Sequence, residues 1–147
     1  MTKKTVKNYF IEGAISADKI AKTIANHQSK TKIGAHSIFL GQIRADEIEG
    51  KAVTGIEYSA YESMANIKID EIKEKAIVDY ELSCLHIYHS IGEVATGEIC
   101  LFVFASSPHR PAVFAAMEKV VEDIKATVPI FGKELFKDKS YQWKVNR

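Results

Sequence analysis

Six consecutive apolar residues, Ile99-Cys100-Leu101-Phe102-Val103-Phe104, constrain this chain more than any other feature. Glu98 bounds the run on one side and Ala105-Ser106-Ser107-Pro108 on the other. It falls far short of the roughly 20 residues a membrane-crossing helix needs. It is consistent with a strand over Glu98–Ser106 that is buried on both faces. The segments around it supply material to cover such a strand. Pro111–Thr127 predicts a long helix with Val113, Met117, Val120 and Ile124 on one face, and Pro111 suits its first turn, where an N–H is not needed. Ser63–Tyr80 predicts a second long amphipathic helix, with Ile69, Ile72 and Ile77 at helical spacing. A shorter helix is expected over Ser16–Asn26, capped by Ser16, with Ile20 and Ile24 four apart.

Further strands are expected at four places. In Gly34–Ile43, Ala35, Ser37 and Phe39 alternate with His36, Ile38 and Leu40. Val53–Tyr58 and Leu82–His89 are the second and third, and Ser140–Val145, carrying Trp143, is a short fourth. A polar loop fills Asp46–Lys51, and Ile91-Gly92-Glu93 reads as a turn. Pro129 and Gly132 break the pattern after the last helix. The order is αββαββα plus a tail, without regular βαβ alternation, so an α+β fold is expected. At 147 residues, with no repeat, low-complexity stretch or Pro/Gly-rich linker, one domain over 1–147 is expected.

Charge says little globally and more locally. The net charge is +1, but Arg110–Arg147 holds eight Lys/Arg against five Asp/Glu. That basic segment reads either as a solvated tail or as a site for a small anion or an acidic partner. No basic stripe with interleaved aromatics suggests nucleic acid. The two cysteines, Cys84 and Cys100, lie in apolar runs without CxxC spacing or a nearby His/Cys pattern, so they read as buried structural thiols rather than a disulfide or zinc site. The opening Met1-Thr2-Lys3-Lys4-Thr5-Val6-Lys7 lacks an apolar stretch after it and does not read as a secretory leader. A cytoplasmic protein is expected.

There is no Gly-rich phosphate loop, GxSxG or HExxH. What remains is a set of cations in loops and at helix ends. Ser106-Ser107-Pro108-His109-Arg110-Pro111 joins a strand to a helix N-terminus, where free N–H groups favour anions; it reads as an anion site or as a polar connector. Lys125 in the last turn of the same helix reads as a dipole-compensating cation or a pocket residue. Lys133 follows Pro129-Ile130-Phe131-Gly132, either on a pocket rim or in a turn against the core. Arg44 ends the strand beyond Gly41. Arg110 and Lys125 are fifteen residues apart, about 22 Å along a straight helix, too far to grip one small ligand within one chain.

Five segments together resemble the large, catalytic subunit of molybdopterin synthase. They are Phe39-Leu40-Gly41-Gln42-Ile43-Arg44; Ile56-Glu57-Tyr58-Ser59-Ala60-Tyr61 with Met64-Ala65; His86-Ile87-Tyr88-His89-Ser90-Ile91-Gly92-Glu93; Ser107-Pro108-His109-Arg110; and Lys125-Ala126-Thr127-Val128-Pro129. The resemblance implies an α/β-hammerhead-type domain with a mixed or antiparallel sheet and two long helices. It also implies a sulfurtransferase of molybdenum cofactor biosynthesis. Such an enzyme takes sulfur from the C-terminal Gly-Gly thiocarboxylate of a small ubiquitin-like subunit and makes the dithiolene of molybdopterin from cyclic pyranopterin monophosphate.

The implied assembly is a homodimer of large subunits with a small subunit at each end. Implied substrate contacts fall on Gln42, Ile43, Arg44, His109, Arg110, Lys125, Gly132, Lys133 and Glu134. Lys125 matches a lysine held to be essential in the family, and a lysine partly desolvated there would have a lowered pKa suited to proton transfer. Members usually carry a second lysine where this chain has Gly132; Lys133, one residue later, is the other catalytic candidate. With a dimer, His109 and Arg110 of one copy are expected to complete the pocket holding Lys125 of the other. No metal or bound cofactor is implied. The rival readings are a non-catalytic platform for the ubiquitin-like carrier and, more remotely, a small phosphate- or nucleotide-binding regulator.

Overall fold

The structure is a computed structural model describing residues 6–145. Most of the Met1–Lys7 segment, and Arg147 of the basic stretch, lie outside the described residues. The elements run β1 (Phe10–Glu12), α1 (Ala17–His27), β2 (Ala35–Gln42), β3 (Glu47–Ile48), β4 (Lys51–Ala60), α2 (Glu62–Asp79), β5 (Cys84–Ala95), β6 (Ile99–Ser107), α3 (Arg110–Thr127), β7 (Ile130–Phe136) and β8 (Tyr141–Trp143).

The apolar run becomes β6, in which every residue after Ile99 is buried. It sits between β2 and β5 in a sheet ordered β2-β6-β5-β4-β7-β8, with β1 added to β5 and β3 to β4. All pairings are antiparallel except β1 with β5, so the fold is α+β with a mixed sheet. Helices α2 and α3 cover one face. Ala65, Ile69, Ile72 and Ala76 of α2 and Val113, Met117, Val120 and Ile124 of α3 meet Leu85, Ile87 and Val103 there. Each fully buried aliphatic side chain contributes about 1.5–3 kcal/mol. Phe102 and Phe104 point the other way and form a smaller core with Ile15, against which Ile20 of α1 packs. Among the described residues no helix is long and apolar enough to cross a membrane.

Helix α1 starts where expected. The Ser16 side chain accepts the Lys19 N–H at 3.1 Å. Its apolar pair is less buried than the spacing implied: Ile24 is exposed, and the one buried residue of the helix is His27. The alternation in β2 holds, with Ala35, Ser37 and Phe39 half-buried and His36, Ile38 and Leu40 exposed.

Four expectations give way. The polar loop is a tight hairpin, β3 to β4, turning at Glu49 and Gly50, both at positive φ. That is the two-residue turn whose twist matches its strands. The expected turn at Ile91-Gly92-Glu93 is instead the middle of β5. Gly92, at φ +84°, kinks the strand where it leaves β6 and takes β4 as partner. A side chain there would strike the Glu12 carboxylate. Pro129 ends α3, but the chain re-enters the sheet at once as β7. Finally, Cys84 is only half-buried, while Cys100 is buried; both are free thiols.

Candidate active site

The last turn of α3 carries Lys125, and Val128 leaves the helix in an extended conformation. The Tyr61 N–H donates to the Pro129 carbonyl at 3.2 Å, which fixes the reversal. β7 then lies along β4 with Gly132 opposite Tyr58. A Cβ at position 132 would come within 3.0 Å of Ile56 Cγ2 and 3.4 Å of the Tyr58 ring. A side chain here would press on Ile56 and Tyr58, and glycine leaves room beside the Tyr58 ring.

That room belongs to a cavity of about 470 Å³ between the end of α3, the end of β2 and the β4–β7 pair. Gln42, Tyr58, His89, Cys100, Lys125, Gly132 and Lys144 line it. A second cavity of about 300 Å³ shares Gln42, Lys125 and Lys144 with the first and adds Arg44 and Glu134. Lys125 is exposed and faces both spaces, neither sunk in the core nor on a bare surface.

The floor is polar but uncharged. The Tyr58 hydroxyl donates to the Cys100 sulfur at 3.5 Å, and the Cys100 thiol reaches the Gly41 carbonyl at 3.4 Å. Burial first, then Cys100 and Glu134, push the Tyr58 phenol well above its ordinary range, so it stays a donor. His89 packs edge-on to the Tyr58 ring, 4.9 Å between centres. It donates Nδ1–H to the Ser90 carbonyl at 2.7 Å, since a carbonyl can only accept. Burial, followed by the positive charges of Lys125 and Lys144, pushes His89 down to about 4, against an opposing pull from the Ser90 carbonyl. The imidazole is thus neutral at pH 7. Above this floor stand the cations Lys125, Lys144 and Arg44. Arg44 makes an exposed ion pair with Asp46 at 3.3 Å, of the kind that contributes at most about 1 kcal/mol. Glu134 is buried and accepts from Gln142 at 3.4 Å. Such a chamber can hold an anion at its mouth and present neutral polar groups inside, the Tyr58 phenol and the Nε2 acceptor of His89.

Of the residues predicted from sequence, Gln42, Arg44, Lys125, Gly132 and Glu134 share these two cavities. Ile43 lines neither; it is buried and held by backbone bonds to Glu98 and Gly97. Lys133 lines neither as well. Its ammonium lies 4.7 Å and 5.1 Å from the ring centres of Tyr141 and Trp143. His109 and Arg110 are exposed at the opposite end of α3. The serines before them are committed elsewhere: the Ser107 hydroxyl donates to the His109 carbonyl, and Ser106 Oγ bonds His36 Nδ1 at 2.7 Å.

Tyr58, His89, Cys100 and Lys144 were not foreseen as lining residues. For His89 a signal existed: it falls in step with Leu85 and Ile87, on the core face of β5. Cys84, read as lacking a nearby His/Cys pattern, has His86 two residues away on the same strand and His27 arriving from α1.

Residues 11–127 match the family model described as MoaE protein. The chain is 40% identical over 116 residues to the molybdopterin synthase catalytic subunit of Dictyostelium discoideum, covering 77% of this chain and 73% of that one. It is 38% identical over 115 residues to the protein of the same name in Drosophila mojavensis, covering 77% of this chain but 31% of that protein, so it spans about a third of the fly relative's length. The crystal structure of molybdopterin synthase from Staphylococcus aureus superposes with a TM-score of 0.81 at 26% identity, over 97% of this chain and 100% of that one. A complex of subunits 1 and 2 of molybdopterin-converting factor from Helicobacter pylori shares the fold, with a TM-score of 0.80 at 22% identity over 94% of this chain and 90% of that one.

Proposed function

Because the chain belongs to the MoaE family, we propose that it is the catalytic subunit of a molybdopterin synthase. It would transfer sulfur from the C-terminal thiocarboxylate of a small ubiquitin-like subunit to cyclic pyranopterin monophosphate, forming the dithiolene. One observation carries this reading: Lys125 faces two adjoining cavities together with Gln42, Arg44 and Lys144, and Gly132 keeps the space beside them open.

Both reactants are anions. Arg44 offers a planar fork suited to a phosphate, and lysines supply compact point charges. A Gly-Gly tail is slim enough to enter a narrow chamber, and its thiocarboxylate would meet Lys125. Once the tail and a second copy of the chain cover it, Lys125 loses solvent. A lysine ammonium held there can hand a proton to a leaving group. The phenol of Tyr58 and the neutral His89 line the inner wall, where they exclude water and offer hydrogen bonds to the pterin.

His109 and Arg110 stand too far along α3 to serve the same chamber within one chain. We therefore assign them to the chamber of the partner copy in a homodimer, with a small subunit at each outer end. The direct test mixes the chain with a thiocarboxylated small subunit and the pyranopterin substrate and looks for the dithiolene product. Mixing inactive His109→Ala and Lys125→Ala chains tests the shared chamber: mixed dimers are expected to regain part of the activity, and verified mixed dimers without activity refute it.

A second reading, a platform that binds the carrier without catalysis, draws on Gly132 and on Lys133 being held by Tyr141 and Trp143. Tight carrier binding without dithiolene formation would select it.

A further inference from the structure

On the face of the sheet away from α2 and α3, three potential metal donors converge. His27 is the last residue of α1, and Cys84 and His86 are alternate residues of β5. One donor atom from each of the three lies within 4.8 Å of the others. Nothing in the proposed sulfur transfer uses them. The geometry points to a binding site for a thiophilic divalent ion such as Zn²⁺, held by His27 Nε2, His86 Nε2 and the Cys84 thiolate.

The orientation of His27 carries the argument. Its Nδ1 lies 2.7 Å from the Thr23 carbonyl, which can only accept, so the proton is on Nδ1 and the Nε2 lone pair points outward. Metal-binding histidines are oriented in this way, with the second nitrogen donating to a carbonyl or carboxylate. The lone pair faces His86 Nε2 at 3.0 Å. Without metal, His86 satisfies the contact by donating its own Nε2–H; with metal, that proton moves to Nδ1 and both Nε2 lone pairs turn to the ion.

Zinc bonds of about 2.0–2.1 Å to nitrogen and about 2.3 Å to sulfur place tetrahedral nitrogens about 3.3 Å apart and nitrogen and sulfur about 3.6 Å apart. The contacts present bracket these values, so side-chain adjustments suffice. Two further observations support the site. His27 is buried, which holds its ring in this orientation. Lys30 donates to the Cys84 sulfur at 3.1 Å, a contact that suits a thiolate.

Lys7, Lys30 and Lys73 place positive charge around His86, which opposes a dication. Binding therefore requires the thiolate, whose proton leaves to solvent, and the affinity is expected to be moderate and to rise with pH. Water completes the fourth position. The ion would tie the end of α1 to β5, so loaded protein should melt higher than metal-free protein.

The experiment uses untagged, metal-free full-length chain, with thiols reduced and oxygen excluded, titrated with Co²⁺. The expected result is one equivalent of Co²⁺ giving tetrahedral visible bands and a thiolate-to-cobalt charge-transfer band, both displaced by Zn²⁺. Cys84→Ser abolishes the charge-transfer band and Cys100→Ser keeps it. His86→Gln weakens Co²⁺ by at least about tenfold, since losing a ligand costs no less than losing its outer-shell partner. Overlapping circular dichroism spectra establish that these variants fold. No charge-transfer band in the wild type, or one that survives Cys84→Ser, overturns the assignment. So does a melting temperature of the wild type that is the same with Zn²⁺ and with a chelator.

Discussion

Acidification from pH 7 to pH 5 is the sharpest perturbation of the chamber wall. His89 titrates at about 4 in the folded protein against 6.5 ordinarily, chiefly because it is buried. A depressed folded-state pKa means that the unfolded chain binds the proton first. The stability due to neutral His89 is complete above pH 6.5 and is lost as the pH falls from 6.5 towards 4. The full difference is about 3 kcal/mol at 1.36 kcal/mol per unit, of which about 2 kcal/mol is gone by pH 5. Against a total stability of about 5–15 kcal/mol this is measurable. With a urea slope of about 2 kcal/mol/M, the unfolding midpoint should fall by about 1 M from this residue alone. Half-buried His86 adds to the acid loss, its share reduced by solvent screening, so the wild type alone does not isolate His89. His89→Gln does, because it keeps an N–H for the Ser90 carbonyl and cannot titrate. Urea curves of both proteins at pH 7 and pH 5 are expected to show the wild type losing about 2 kcal/mol more than the variant. Equal losses would refute the reasoning that a neutral imidazole forms the wall.

Four further outcomes are expected. Lys125→Ala should nearly abolish dithiolene formation while changing stability by no more than about 0.5 kcal/mol, because the side chain is exposed; near-normal turnover removes Lys125 from the mechanism. Gly34→Ala places a Cβ 2.2 Å from the Pro108 carbonyl oxygen, a backbone atom that cannot step aside, so a loss of about 2 kcal/mol and a melting point roughly 5 °C lower are expected by calorimetry. Lys133→Ala should reduce turnover less than Lys125→Ala does, since Lys133 is engaged by Tyr141 and Trp143. Gly132→Lys should destabilise by about 1–3 kcal/mol, because its Cβ meets Ile56 and Tyr58. Rate measurements on both variants test whether a lysine at 132 improves on one at 133.

The parts of the fold legible in the sequence are those whose physics is local. The apolar run of β6, the spacing in α3 and the Ser16 cap each depend on near neighbours and fell within a residue or two of their observed bounds. The errors share a cause. Gly92 and Gly132 read as chain breaks, yet each lies inside a strand: Gly92 at positive φ beside Glu12, Gly132 packed closely against Ile56 and Tyr58. β7 and the continuation of β5 were hidden for that reason. β1 is three residues long and carries no periodicity of its own.

At the site, the cations stood out by their places in loops and at helix ends, the family resemblance joined them into one site, and five of the expected contacts do meet in the two cavities. Tyr58, His89 and Cys100 belong to buried strand faces, where a polar residue looks like any other core position until the opposite wall is in place. The convergence of His27 with Cys84 and His86 was equally hidden, since α1 and β5 are remote in the chain.

The pairing of β4 with β7 has a temporal consequence. Two helices and two strands are synthesised between them, so the chamber's walls close only after a large loop has been bridged. Such distant pairings slow the search for the native state. A nascent or nicked chain lacking its last strands can have a nearly finished sheet and still no chamber. Any ligand of the chamber would thus find it only once the last strands are in place.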